Sequence, residues 1–342
     1  GTCATSPYAT QSTMPLPASG VGRVLPPHRT HIDTRWVMSY AAGVGEGDNL
    51  PCFLDSTRGG AAKYSETPDF HRGGMQGGGV MAHPIFIWAV EWPIFWRGMG
   101  PFYEPGPGEA GLLRSEGFRS VHYSEDIIIH RPILAGDTLD TTVSLVSIQA
   151  KPKGSVGVLR CDTVDTEGSP VVTAWSGYYY RGVDVEGSPA TLEGRMPPPV
   201  PAAPAKAESQ RGVATIKLSV RAVEAHVYSE CARIWNPIHT DKAAALAAGL
   251  PDIILHGTAI LARAVSALVA RFAEGDPARV ERVVAGAFGA PVLMPSTISV
   301  EVRAVDMEGV WFEVSNAAGQ QAIRGGFLGL RGARERGARP RL

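Results

Sequence analysis

Apolar residues recur along this chain in two rhythms, one of helical and one of strand period. In the second half, Leu261, Val265, Leu268 and Phe272 fall at spacings of four, three and four, which places them on one face of a helix. Ala262, Ala264 and Ala267 beside them let that helix lie close against a sheet. Downstream, Ser299 to Val305 and Trp311 to Val314 alternate or nearly alternate, as half-buried strands do. The pattern predicts one long helix followed by a strongly twisted antiparallel sheet. A sheet wrapped round that helix accounts for its weak polar face.

The same order occurs twice. Met81-Ala82-His83-Pro84 heads an aromatic-rich segment in the first half, as His256-Gly257 heads the helix in the second. Tyr40 and Asp48-Asn49 precede the first; Tyr228 and Asn236 precede the second. Strand-like runs follow in each, over 125–148 and 156–180, then over 297–305 and 309–330. Gly157-Val158 leads through a turn at Gly168 to Arg181-Gly182, and Gly309-Val310 leads through a turn at Gly319 to Arg331-Gly332. Such self-similarity indicates duplicated modules. Between them, 183–212 is rich in Pro, Ala and Gly, lacks a sustained apolar period and reads as a linker. The expected organisation is an N-terminal arm over 1–29, a first module over 30–182, the linker over 183–212, a second module over 213–332 and a basic tail over 333–342. The fold class is α+β.

With 342 residues, 44% of them hydrophobic and 19% charged, the chain can bury one large or two medium cores. Thirty-two Lys plus Arg against 33 Asp plus Glu give a net charge of −1, which supplies no long-range attraction for nucleic acid or an anionic membrane. Cys3, Cys52, Cys161 and Cys231 are widely spaced, with no Cys-x-x-Cys, which favours reduced thiols and no metal site. Even the apolar stretch 253–272 contains His256, Arg263 and Arg271, and the N-terminus shows no basic-then-apolar signal pattern. A cytoplasmic location is expected. Gly73-Gly74 and Gly77-Gly78-Gly79 read as a flexible loop, not a phosphate-cradling turn.

The chemistry concentrates at Asn236-Pro237-Ile238-His239-Thr240-Asp241. Asn236-Pro237 cannot lie inside a regular helix, because proline has no N–H and biases its predecessor towards extended geometry. His239 is therefore presented from a turn. Asp241 then caps a short helix over Lys242–Ala248 that ends at Gly249.

Tyr228, residues 236–241, Gly249 and Ile254-Leu255-His256-Gly257 together resemble the hydratase 2 motif of MaoC-like (R)-specific enoyl-CoA hydratases. Arg131-Pro132-Ile133-Leu134-Ala135-Gly136-Asp137-Thr138-Leu139 is similar to the sequence leading into a strand in that family. The resemblance spans nearly all of 30–332 and is strongest over 236–257. It implies a double hotdog fold, two tandem hotdog modules mimicking the usual dimer. It also implies reversible addition of water to a 2-enoyl-CoA, with a CoA thioester as substrate and no cofactor. Nucleic acid and membrane are not expected partners, and a homo-oligomer of double hotdogs is left open.

Such a reaction needs a base for water at C3, a proton source for C2 and stabilisation of the thioester oxygen. His239, with an ordinary pKa of about 6.5, suits proton transfer. Asn236 would orient the water or the ring, and the Gly257 amide, at the positive end of a helix, would donate to the thioester oxygen. The family's usual Asp-x-Asn-Pro-x-His is broken here, because Ile234 stands at the Asp position and Arg233 replaces the preceding Gly. Candidate substitutes are Asp241, otherwise a helix cap; Glu230, otherwise a solvated side chain; and an acid from the first half such as Glu46, Asp48 or Asp55.

His83 and His256 occupy matching places and read as structural or substrate-positioning. Pro84 after His83 removes a donor, so the first module is expected to lack the oxyanion hole. Trp88, Trp92, Phe95, Trp96, Phe102 and Tyr103 either wall an acyl tunnel or pack the core. Lys151 and Lys153 are solubilising or contact CoA phosphates, and the basic tail is read the same way. Rival readings are a hotdog thioesterase, which would release free thiol, and a noncatalytic acyl-CoA-binding subunit, which Ile234 favours.

Overall fold

A computed structural model describes residues 14–45, 80–98, 100–111, 120–204 and 214–331 of the chain. The first half runs β1 (His28–His31), α1 (Thr34–Val44), α2 (Ile87–Gly98), β2 (Ser120–Ile129), β3 (Thr138–Lys151), β4 (Gly154–Asp165) and β5 (Pro170–Arg181). The second runs β6 (Thr215–Val220), α3 (Glu224–Ala232), α4 (Lys242–Ala247), α5 (Gly257–Phe272), β7 (Val280–Phe288), β8 (Ser296–Val305), β9 (Gly309–Ser315) and β10 (Gln321–Leu330).

All ten strands belong to one antiparallel sheet, ordered β1-β3-β4-β5-β2-β7-β10-β9-β8-β6. Read outward from the centre, each half has the same order, and the halves meet where β2 pairs β7, with Glu125 opposite Ala285 and Ile127 opposite Val283. Gly154 and Gly309 begin β4 and β9 with φ of 145° and 152°, and a Cβ would lie 2.0 Å from the Tyr180 carbonyl oxygen and 2.1 Å from that of Leu328. Only glycine fits at either place, and the pair marks the duplication at the level of single atoms. The chain therefore has an α+β double hotdog fold.

The core lies between the helices and one face of this sheet. Ten of the sixteen residues of α5 are buried, including Leu261, Val265 and Leu268, and Phe272 packs at the margin. Each such side chain contributes roughly 1.5–3 kcal/mol of burial. In the first module α2 carries Trp88, Ala89, Val90, Ile94 and Phe95 into the same core, despite Pro93 within it. The strand-like run 125–148 divides at a turn over 130–137, where the Asp137 carboxylate accepts from the Leu134 amide and from Arg131.

The Pro-rich segment is docked over its described part, 183–204. Val185–Glu186 pairs with Leu16–Pro17, and Ala190–Thr191 pairs with Ser147 and Ile148 of β3. Its carbonyls then accept from the sheet: Arg195 from Trp175 Nε1 at 2.7 Å, Pro198 from Arg282 Nη2 at 2.6 Å and Pro201 from Trp311 Nε1 at 2.9 Å. Trp and Arg side chains only donate and carbonyls only accept, so these bonds all run from sheet to segment. Beneath it, on the face away from the helices, lie the Asp126–Arg282 ion pair and a small cluster of Val284, Ala304, Trp311 and Phe327. Val283, one residue along β7, faces the main core, as the pleat requires.

Candidate active site

Asn236 Oδ1 accepts from the Ile238 amide at 3.3 Å, and Pro237 begins a single 3-10 turn over Pro237–His239. Proline fits there because its missing N–H would have no partner at a helix start. The turn buries the His239 ring, 9% exposed, with Nδ1 2.8 Å from the Ile254 carbonyl oxygen. A carbonyl only accepts, so Nδ1 carries the proton and Nε2 is left as the basic nitrogen of the neutral ring. Burial lowers the pKa of His239 to about 4, against a smaller opposing effect of the Ile254 bond. The ring is therefore neutral at pH 7.

His256 stacks on His239 with ring centroids 3.6 Å apart and planes 22° from parallel. Its Nε2 lies 3.2 Å from Ser229 Oγ, while Nδ1 is buried with no hydrogen-bond partner. Burial, then the neighbouring His239, push the His256 pKa well down. Gly257 follows as the first residue of α5, where the leading N–H groups have no partner within the helix and the dipole is positive. The turn, the stacked pair and the helix start thus bring a base and an anion-stabilising end together. A Cβ on Gly257 would lie 2.9 Å from Cδ1 of Phe288, so the glycine is needed by the β7 aromatic as well as by any approaching ligand.

The modules meet over this site through α1 and α3. Tyr40 and Tyr228 hydroxyls lie 3.2 Å apart, and Tyr228 donates to Thr258 Oγ1 at 3.1 Å. His83 is satisfied at both nitrogens: Nδ1 accepts from the Ile85 amide at 3.0 Å, so Nε2 donates to Ser266 Oγ at 2.9 Å, and Ser266 donates to the Ala262 carbonyl. Burial lowers its pKa to about 3. His83 thus ties the first module to α5 and leaves no ring nitrogen for a ligand.

The remaining candidates are spread out. Ile234 is 2% exposed and lies in the apolar core. Asp241 is exposed and its carboxylate accepts from the Ala244 amide at 2.8 Å, capping α4. Glu230 is exposed and lines a polar groove of about 520 Å³ with Asp33, Arg35, Trp36, Ser39 and Arg233. Asp48, like Glu46, Asp55 and the Gly73–Gly79 loop, lies outside the described residues, as does the tail 333–342. Lys151 and Lys153 flank a shallow depression of about 310 Å³ floored by Tyr123 and Tyr179. Tyr178 faces the helices, so Tyr179 beside it places that depression on the other face.

The aromatic cluster splits. Trp92 stacks on Trp96, and Tyr103 meets Tyr180, whereas Trp88 packs on Phe95 and lies parallel to the His122 ring at 4.4 Å. His122 in turn lies 4.5 Å from Phe288, the ring that abuts Gly257. Sequence reading passed over His122 and the two buried glutamates near it, Glu91 and Glu125. A signal existed: Glu91 is the single charged residue between Pro84 and Arg97, and falls between Trp88 and Phe95 on one helical face. Among the described residues no helix is long and apolar enough to cross a membrane, and no group of three or more His, Cys, Asp or Glu could hold a metal.

Comparison with known proteins gives the family. A MaoC-like domain is matched over residues 205–325. The UPF0336 protein of Saccharopolyspora erythraea is 39% identical over 180 residues, 52% of this chain and 100% of that protein. Enoyl-CoA hydratase 2, peroxisomal, of Arabidopsis thaliana is 24% identical over 216 residues, 62% of this chain and 68% of that protein. The match to peroxisomal multifunctional enzyme type 2 of Drosophila melanogaster, 27% identical, covers 57% of this chain but only 31% of that longer protein. Among solved structures, a MaoC-like dehydratase from Phytophthora capsici superposes with a TM-score of 0.68 at 20% identity, over 89% of this chain and 95% of its own. The chain belongs to the MaoC-like hydratase/dehydratase family.

Proposed function

We propose that this protein catalyses reversible addition of water to a 2-enoyl-CoA, with the site in the second module. The observation that carries the reading is the His239 ring, whose Nδ1 proton is committed to the Ile254 carbonyl and whose Nε2 is a free base beside the start of α5. In hydration, Nε2 takes a proton from water as the water oxygen bonds to C3. Electrons move through C2 to the thioester oxygen, which the Gly257 amide stabilises. The C2 carbanion then takes a proton and the thioester carbonyl reforms. Asn236 spends its Oδ1 on the Ile238 amide, which leaves its NH2 to orient the water.

With Ile234 apolar and Asp241 engaged as a cap, His239 is the base that the described residues supply, and the proton it removes from water is the one delivered to C2. Names of relatives support the substrate class, one being an enoyl-CoA hydratase 2. Lys151 and Lys153 stand at the same end of the sheet as Phe288, on its other face, and are the basic groups offered to the phosphates of a long CoA tail. Ile234 also supports a second reading, a subunit that binds acyl-CoA without turning it over. The test is a panel of 2-enoyl-CoAs. Loss of enoyl absorbance without release of free thiol supports hydration; thiol release points to a thioesterase; tight binding with no turnover across the panel favours the noncatalytic subunit.

A further inference from the structure

Beneath α2, on the helix-facing side of the sheet, six polar side chains share one buried space. Glu91 projects from α2 at 0% exposure, and Glu125, Ser176 and Cys161 face it from the strands at 2%, 0% and 0%. Glu125 Oε2 lies 2.9 Å from both His122 Nε2 and Ser176 Oγ. Tyr178 completes the group, its ring 5.8 Å from His122. The Glu91 carboxyl meets no partner but the weak Cys161 thiol, and Oε1 of Glu125 and the Tyr178 hydroxyl have none. An apolar core gains nothing from such groups, since each buried orphan costs free energy that an aliphatic side chain would avoid. Their convergence on one place indicates a ligand that satisfies them.

The place lies near the candidate active site. Phe288 abuts Gly257 on one side and His122 on the other, and His122 is bonded to Glu125. We propose that this cluster receives the distal end of the acyl chain, and that this end carries a neutral hydroxyl group. The inference rests on the acyl-CoA reading above and names its substrate class. The Phe288 ring stands between the Gly257 amide and the cluster.

The chemistry of the group selects the hydroxyl. Burial first, then repulsion from Glu125, raise the Glu91 pKa well above the usual carboxylate range, while the weak Cys161 thiol donor lowers it less. Burial likewise raises Glu125. Among the described residues the groups found against the two carboxyls are His122, held neutral by burial, Ser176 and Cys161, so a dicarboxylic acyl chain would bring a further carboxylate with no cation to meet it. A plain alkyl end leaves these groups unmatched. A hydroxyl both donates to a carboxyl oxygen and accepts from a protonated carboxyl or the Tyr178 phenol.

The test compares chains of equal length that end in methyl, hydroxyl or carboxylate. Saturated acyl-CoAs, which cannot be hydrated, are titrated by calorimetry, and matched 2-enoyl-CoAs are assayed for kcat/KM. The hydroxylated chain should exceed the methyl chain by about ten-fold in both, with the carboxylate weakest. Glu91→Leu should bring the hydroxyl-to-methyl ratio to one or below, and Glu91→Gln should retain most of it. If Glu91→Leu does not fold, Tyr178→Phe, which keeps the ring, should still lower the ratio several-fold. Equal or better use of the methyl chain by the wild type, or an unchanged ratio in the folded variants, overturns the proposal. Preferential binding of the hydroxylated chain with no turnover of any enoyl-CoA would sink the hydratase reading and leave the binding site standing.

Discussion

The seam between the modules depends on a buried ion pair whose removal has a predictable cost. Arg282 on β7 donates through Nε at 2.9 Å and Nη2 at 2.7 Å to the two oxygens of Asp126 on β2, and both residues are under 10% exposed. The same guanidinium donates to the Pro198 and Pro199 carbonyls of the docked linker. Arg282→Met removes four bonds and leaves the Asp126 carboxylate buried without its cation, at a cost of about 3–5 kcal/mol. Asp126→Leu leaves the guanidinium its two carbonyl partners, so its cost falls at the lower end, about 3 kcal/mol. In the double variant neither charge is stranded, and apolar side chains replace both. Its loss should therefore be at least about 2 kcal/mol smaller than the sum of the single losses. Urea unfolding of the four proteins measures these values. Limited proteolysis gives an independent view, because only the variants lacking Arg282 lose the bonds that hold 198–199. Additive single costs, or an Arg282→Met protein as stable as the wild type, would refute the reasoning.

Two further predictions concern the site. Burial depresses His239 to about 4 and His83 and His122 to about 3, below their unfolded value of about 6.5. The folded state thus refuses protons that the unfolded chain accepts, so their contribution is complete above pH 6.5 and is lost as pH falls towards 4 and below. Each histidine adds up to about 1.4 kcal/mol per pH unit to the slope of stability within that window. A unfolding free energy that is flat between pH 4.5 and 6.5 would contradict this. In the same way, the acid limb of kcat/KM should lie near His239's pKa of about 4. Gly257→Ala should lower both thermal stability and kcat/KM, because its Cβ meets Phe288 at 2.9 Å. Phe288→Leu in that background should restore the stability more than the activity.

Parts of the fold and of the site were visible in the sequence for physical reasons. The 4-3-4 spacing of Leu261, Val265, Leu268 and Phe272 marks α5, since burial of one continuous face is what creates that period. Asn236-Pro237 announces the turn that presents His239, because proline's missing N–H acts locally. The β2–β7 seam was not legible: it joins residues more than 150 positions apart, and local alternation says nothing about which strand pairs with which. Nor was the docking of 183–204, where backbone carbonyls accept from Trp175, Arg282 and Trp311, and carbonyls carry no residue-specific signal. The hidden cluster of Glu91, His122 and Glu125 needed the pairing of two elements before its members could be seen as neighbours.

The proposed role of His239 Nε2 is that of the base of a hydratase. It is tested most directly by kcat/KM for hydration of a 2-enoyl-CoA that the wild type accepts, measured for His239→Ala, with circular dichroism confirming the fold. A fall of about 10²–10⁴-fold is predicted, the size of a lost general acid–base group. Activity within a few-fold of the wild type would contradict it.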